Sequence, residues 1–268
     1  MTHVSGLFIY PIKGCGGIAV PSAMVQARGL AHDRRYMLVD ASGSFITQRE
    51  EPRLALVQLA MVGEALQITS AEGTIATPLV PSSGQPLPVT VWDDNVTAWA
   101  VDAAADEYFS SYLRCPVRLV YMPDTTRRMV DPTYAGPSDI TSFSDGFPLL
   151  VVSEASLADL NGRLASKVPM NRFRPNVVLG GARAFQEDAH SAFEAGEASF
   201  RIVKPCSRCV VVTTDQTTAE VGKEPLATLA SYRKQGSKVM FGQNVLVHTE
   251  GTLRVGDAVT WGPLRSPA

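Results

Sequence analysis

A chain of 268 residues, 45% hydrophobic and 19% charged, carries enough apolar material for a sizeable core, which excludes disorder over most of its length. Lys and Arg number 24 against 26 Asp and Glu, a net charge of −2, so no positive excess exists to hold a polyanion by counterion release and nucleic acid is not an expected partner. The 4 cysteines are too few for a disulfide scaffold and fit a reducing compartment.

In chain order, the first third reads as short strands. Leu7–Tyr10, Arg35–Val39 and Leu54–Val57 are apolar runs separated by turn residues, with hairpin signals at Asp40–Ser44 and at Ala71–Gly73. Pro78–Pro88 reads as a loop, Val89–Trp92 as a strand and Asp93–Asn95 as a turn. Asp102 is placed to cap a helix with Tyr108, Phe109, Tyr112 and Leu113 on one face, ended by Cys115-Pro116. A domain boundary is expected near residue 120, giving units 1–120 and 121–268. Residues Met122–Ser144 show no apolar period and read as a long, functional or mobile loop. Phe147–Val152 then predicts a buried strand, followed by a helix capped by Ser153 with a Leu157, Leu160, Leu164 stripe. Val177–Leu179, Phe200–Val203, Val210–Val212, Val245–Val247 and Leu253–Val255 predict further strands, and Pro225–Arg233 a short helix. The fold class is mixed and mainly β: the short strands suggest a sandwich or barrel, followed by a second β-rich unit with peripheral helices. No leader peptide is visible and no uninterrupted apolar run exceeds four residues, against the roughly 20 that cross a membrane. The expected location is cytoplasmic, with no membrane partner.

The chemistry concentrates at Cys206-Ser207-Arg208-Cys209. A zinc site needs two more ligands, yet Cys15 and Cys115 are isolated and His3, His32, His190 and His248 form no ligand pair. A redox dithiol commonly opens a helix, whereas the valines after Cys209 predict a strand. A single thiolate on a metal held mainly by an organic cofactor is a third reading, with Arg208 placed to favour the thiolate. Two cysteines that merely pack are a fourth. In Asn171–Asn176, Arg172, Arg174 and Asn176 offer groups that bind phosphate, but taken alone the segment reads first as a solvated loop before a strand, and Lys13 and Arg34 pose the same choice.

Nine segments recur in an order that resembles the MOSC family in its N-terminal β-barrel plus MOSC arrangement: Leu7–Lys13, Asp33-Arg34, Phe45–Arg49, Ser144–Leu150, Ser153–Leu157, Phe173–Asn176, Lys204–Cys209, Phe241–Asn244 and Arg254–Asp257. The similarity runs from about residue 7 to about residue 260, and the chain resembles the bacterial hydroxylaminopurine reductases and mitochondrial amidoxime-reducing components of that family. The resemblance implies a β-barrel for each unit and a molybdenum cofactor (Mo-molybdopterin) enzyme with Cys209 as the protein's metal ligand. Lys13, Arg34, Arg174, Asn176, Ser207, Arg208 and Asn244 are then implied as cofactor-binding side chains, and Gly146 and Phe147 as main-chain contacts. Asp145 is implied for proton handling or for fixing its loop. Where relatives often have Ser, Gly14 offers no hydroxyl. The implied reaction is two-electron reduction of small N-hydroxylated substrates, with electrons from a ferredoxin-, flavodoxin- or cytochrome b5-like protein. A family-level association with pyridoxal phosphate comes with the resemblance as well. The alternatives are a persulfide sulfur carrier or transferase using Cys206 or Cys209, and a cofactor-binding module without turnover.

Overall fold

A computed structural model describes residues 1–265. Its architecture is mainly β, as expected, with short helices on the outside. The largest sheet has nine strands, among them His3–Ile9, Val177–Gly180, Leu149–Ser153, Lys238–Thr249 and Ala198–Arg208 as successive neighbours. Leu149–Ser153 and Val177–Gly180 run parallel, with Val151 opposite Val177, and the connection between them carries the helix Glu154–Asn161. That helix starts where Ser153 accepts from the Ser156 N–H, so the cap legible in the sequence also ends the strand. Leu7, Ile9, Leu149, Val151, Val177, Phe200 and Val245 fill the core on one face of this sheet. Among the described residues, no helix is long and apolar enough to cross a membrane.

The N-terminal residues do not stay apart from the C-terminal ones. His3–Ile9 pairs with Val177–Gly180, and Ser22–Gln26 with Gly251–Arg254. A four-stranded sheet of Tyr36–Val39, Arg118–Tyr121, Asp94–Ala100 and Gln85–Val91 forms the other body. The helix Ala103–Leu113 packs Tyr108, Phe109, Tyr112 and Leu113 against Ile12, Leu54 and Leu119, and Asp102 caps it through the Ala105 N–H at 2.7 Å.

Several elements differ from expectation for identifiable reasons. Leu54–Val57 is no strand: Pro52 opens a 3-10 turn, Pro52–Leu56, that buries Leu54. The strand Gln85–Val91 begins inside the expected Pro78–Pro88 loop; it is the outer strand of its sheet, where Pro86 and Pro88 leave no ladder bond unmade. Asp94 and Asn95 already belong to the next strand, so the turn is carried by Trp92 at φ +56° and Asp93. Within Met122–Ser144 the strands Arg128–Met129 and Ile140–Thr141 pair, and Arg128, Ser142 and Phe143 are buried. Val210–Thr213 is a 3-10 turn in place of a strand, closed by the Thr213 hydroxyl donating to the Val210 carbonyl at 2.7 Å.

Candidate active site

The two bodies meet at a cleft whose wall includes the eleven residues that the resemblance implies for the site: Lys13, Arg34, Asp145, Gly146, Phe147, Arg174, Asn176, Ser207, Arg208, Cys209 and Asn244. They arrive from separate turns. The strand His3–Ile9 leads to Lys13, and Arg34 and Arg174 occupy left-handed turns at φ +47° and +53°. Opposite Cys206, the Lys238–Thr249 strand carries two residues, Phe241 and Gly242, between partners Met240 and Gln243. This bulge bends the pairing beside Cys206 at the cleft wall. Gly242 fits it at φ +77°, where a Cβ would stand 2.7 Å from Val152 Cγ2.

The wall is cationic in a chain of net charge −2: Lys13, Arg34, Arg49, Arg174 and Arg208 face a single carboxylate, Asp145. Lys13 Nζ donates to Asp145 Oδ1 at 2.6 Å and to the Phe143 carbonyl at 2.8 Å. Burial pushes the Lys13 ammonium below its ordinary pKa. Burial would raise the Asp145 carboxyl, but Lys13, with Arg49 and Arg34, outweighs it and holds the group well below the usual carboxylate range. The Asp145 side chain nevertheless opens to the cleft, 69% exposed.

Arg34 Nη1 donates to both carboxylate oxygens of buried Asp33 at 2.9 and 2.7 Å and to Asn176 Oδ1 at 3.0 Å. Asn176, expected to face a ligand, is 1% exposed and spends its amide on the fold: Nδ2 donates to the Phe8 carbonyl and Oδ1 also accepts the Leu150 N–H. It positions Arg34. The Arg34 and Arg174 guanidiniums lie 4.2 and 4.3 Å from the Tyr10 ring centre. Burial, with Arg34 nearby, lowers Arg174 to about 10, so an anion beside it would offset the cost of burying that charge. Ser207 and Asn244 form no side-chain hydrogen bond among the described residues, and neither do the main-chain N–H groups of Ser144, Asp145, Gly146 and Phe147. Buried Arg208 Nε and Ser144 Oγ also lack partners.

The thiols take different partners from those expected. Arg208 turns away from Cys209: its Nη1 donates to Cys206 Sγ at 3.0 Å and its Nη2 to the Phe173 carbonyl at 2.8 Å. The cation on Cys209 is Arg49, whose Nη2 lies 3.6 Å from Sγ and whose guanidinium sits 4.4 Å from the Trp92 ring centre. No strand follows Cys209, which opens the Val210–Thr213 turn. Cys15 is sealed in the core, its thiol pushed up to about 12 by burial. Among the described residues no three or more His, Cys, Asp or Glu converge as a metal-binding group.

Sequence reasoning missed Arg49, Trp92, Gln48, Gln216 and Arg128. Gln48 and Gln216 exchange amide bonds at 3.2 and 3.0 Å across the cleft wall. Arg128, 3% exposed in its side chain, donates to the carbonyls of Ser142, Ser144 and Asp145 and pairs with Asp94. Thr47, Gln48 and Arg49 stood inside a motif already quoted, which was the available signal; Trp92 and Arg128 had none.

Residues 1–116 match the MOSC N-terminal beta barrel domain and residues 139–260 the MOSC domain. The chain is 34% identical over 275 residues to mitochondrial amidoxime-reducing component 1 of Homo sapiens, covering 96% of this chain and 82% of that protein. It is 34% identical over 277 residues to mitochondrial amidoxime reducing component 2 of Bos taurus, covering 96% and 82%. It is also 32% identical over 273 residues to a molybdenum cofactor sulfurase of Oryza sativa subsp. japonica, covering 90% of this chain and 32% of that protein.

Proposed function

The chain belongs to the MOSC family and carries the MOSC N-terminal beta barrel and MOSC domains together; on that premise we propose that it is a molybdenum-cofactor-dependent reductase of N-hydroxylated compounds, namely hydroxylamines, amidoximes and N-hydroxylated bases. Its main support is the cleft wall, where two thiols, Cys206 and Cys209, stand among five cations while the chain offers no cluster of three metal ligands among the described residues. A metal there takes most of its ligands from another molecule, and the wall's charge calls for that molecule to be anionic. A phosphate-bearing pterin dithiolene meets both demands. Cys209 would supply the protein ligand, with Arg34, Arg174, Arg208, Ser207 and the free amides around Gly146 and Phe147 on the phosphate and pterin. When bound, the cofactor supplies two-electron oxygen-atom chemistry. Similarity to amidoxime-reducing components over 96% of the chain supports reduction as the direction.

Overall, R–NH–OH gains two electrons and two protons and yields R–NH2 and water. The electrons come from a separate electron-transfer protein of the ferredoxin, flavodoxin or cytochrome b5 kind. Asp145, held ionised by Lys13, does not store a proton at neutral pH. The Lys13–Asp145 pair acts as a unit: the proton stays on Lys13 Nζ, hydrogen-bonded to Oδ1 at 2.6 Å, and the exposed carboxylate is placed to accept a hydrogen bond from the substrate and orient it. Arg128 fixes the loop on which Asp145 stands.

The test is molybdenum content and hydroxylamine reduction with a chemical electron donor. Protein from molybdenum-replete cells should hold close to one molybdenum per chain, Cys209→Ala should abolish reduction and Cys206→Ala should largely spare it. A metal-free active protein, or equal loss in both variants, contradicts the reading. One contact favours a second reading, a Cys206 persulfide carrier: Arg208 Nη1 at 3.0 Å stabilises anionic sulfur there. Labile sulfur on metal-free protein, lost in Cys206→Ala, would establish it.

A further inference from the structure

Four of the five cations on the cleft wall are already engaged by protein oxygen. Lys13 holds Asp145 and the Phe143 carbonyl, Arg34 holds Asp33 and Asn176, Arg174 meets Gln216 Oε1 at 3.3 Å, and Arg208 holds the Phe173 carbonyl. Arg49 is different: among the described residues its guanidinium meets no oxygen, only Cys209 Sγ at 3.6 Å. What fixes it is Trp92, whose ring centre is 4.4 Å from its Cζ. Trp92 is itself held from two sides, by Phe45 at 5.1 Å between ring centres and by an indole N–H donated to Asp145 Oδ1 at 3.3 Å. It stands at φ +56°, a backbone conformation that a bulky residue keeps only when its surroundings demand it. The N-terminal part of the chain thus delivers an indole and an unspent guanidinium to the thiol and carboxylate of the C-terminal part.

A guanidinium laid on an aromatic ring keeps its edge N–H groups for hydrogen bonds and its second face for another planar group. Beside Cys209, the acceptor that matches the edge is the oxygen of an N–O bond, and the group that matches the face is a conjugated one. We propose, resting on the reductase reading above, that Arg49 supported by Trp92 is the substrate-binding element that orients the N–O oxygen toward Cys209 and selects planar, conjugated N-hydroxylated compounds, amidoximes and N-hydroxylated bases, over non-planar alkyl hydroxylamines. Trp92 acts through Arg49 and is a positioning residue.

The test compares benzamidoxime with N-methylhydroxylamine on molybdenum-loaded protein with a chemical donor, together with calorimetric binding of benzamidoxime to the oxidised protein. Arg49→Met should raise KM and weaken binding of benzamidoxime by about tenfold or more, the size of one lost charge-assisted hydrogen bond. N-Methylhydroxylamine offers its N–O oxygen to the same edge and loses that bond too, so the signature of the stacked face is a benzamidoxime loss at least about threefold larger than the N-methylhydroxylamine loss. Trp92→Gly accepts the left-handed φ while removing the ring and should reproduce the effect; Trp92→Phe should restore most of it. Equal KM rises for both compounds, unchanged benzamidoxime binding, or loss of molybdenum in Arg49→Met would overturn the proposal, the last by making Arg49 a cofactor-holding residue. Wild-type protein that is loaded with molybdenum yet reduces neither compound overturns the reductase reading itself, and this proposal with it.

Discussion

Arg128→Met separates the scaffold of the site from its chemistry. The Arg128 side chain is 3% exposed and serves four oxygens: the carbonyls of Ser142 at 3.0 Å, Ser144 at 2.5 Å and Asp145 at 3.3 Å, and the Asp94 carboxylate at 2.7 Å. Methionine keeps much of the bulk and none of the donors. Each buried carbonyl left without its donor costs about 1–3 kcal/mol. Asp94, whose side chain is 47% exposed, returns to water at small cost. The sum over the three carbonyls, about 3–9 kcal/mol, is at or above the roughly 3–5 kcal/mol of breaking a buried ion pair. With a urea slope of about 3 kcal/mol/M for a chain of this size, the unfolding midpoint followed by tryptophan fluorescence should fall by roughly 1 M or more. Asp94→Ala should cost no more than about 1 kcal/mol. A loss below about 1 kcal/mol for Arg128→Met would refute the reasoning, because it would mean that the loop carrying Asp145 is not held by this guanidinium.

Arg174→Ala should weaken cofactor retention by about tenfold to a hundredfold, one charged fork, while apoprotein stability changes by less than about 1 kcal/mol because a burial cost disappears with the charge; unchanged molybdenum occupancy would contradict it. The Asp145 carboxyl is depressed in the folded state, so the stability it contributes is complete above the ordinary carboxylate pKa of about 3.9 and is lost only as pH falls further, through the folded value. The stability difference between wild type and Asp145→Asn should therefore hold constant from pH 7 to about pH 5; a difference that fades by about pH 6 would contradict the pairing with Lys13. Gly242→Ala should cost about 2 kcal/mol or more, since its Cβ meets Val152 Cγ2 at 2.7 Å and the Val151 carbonyl at 2.9 Å, and a thermal midpoint within about 2 °C of wild type would count against that clash.

Much of the site was legible because its residues sit in contiguous motifs. Lys13 follows a short apolar run while Arg34, Arg174 and Cys209 precede one, and such turns are where a strand protein exposes side chains. The helix caps at Asp102 and Ser153 were legible for a local reason, since cap and first turn are neighbours in sequence. What sequence did not disclose depends on distant partners. Which cation meets which thiol is decided by the meeting of residues 49 and 209, and adjacency in sequence pointed to Arg208 instead. Asn176 carries the right chemistry for a ligand, but the Phe8 carbonyl and Leu150 N–H claim it. The valines after Cys209 have strand propensity, yet no partner strand receives them and the Thr213 hydroxyl closes a turn. Arg128 lies in a stretch with no apolar period, and only its burial shows that the stretch is a wall.

The most direct measurement is X-ray absorption at the molybdenum edge on the loaded protein and its Cys209→Ser variant. One sulfur neighbour fewer around molybdenum in the variant, with the remaining sulfur neighbours intact, is the predicted result. An unchanged sulfur count would show that the metal is held without Cys209 and would contradict the account.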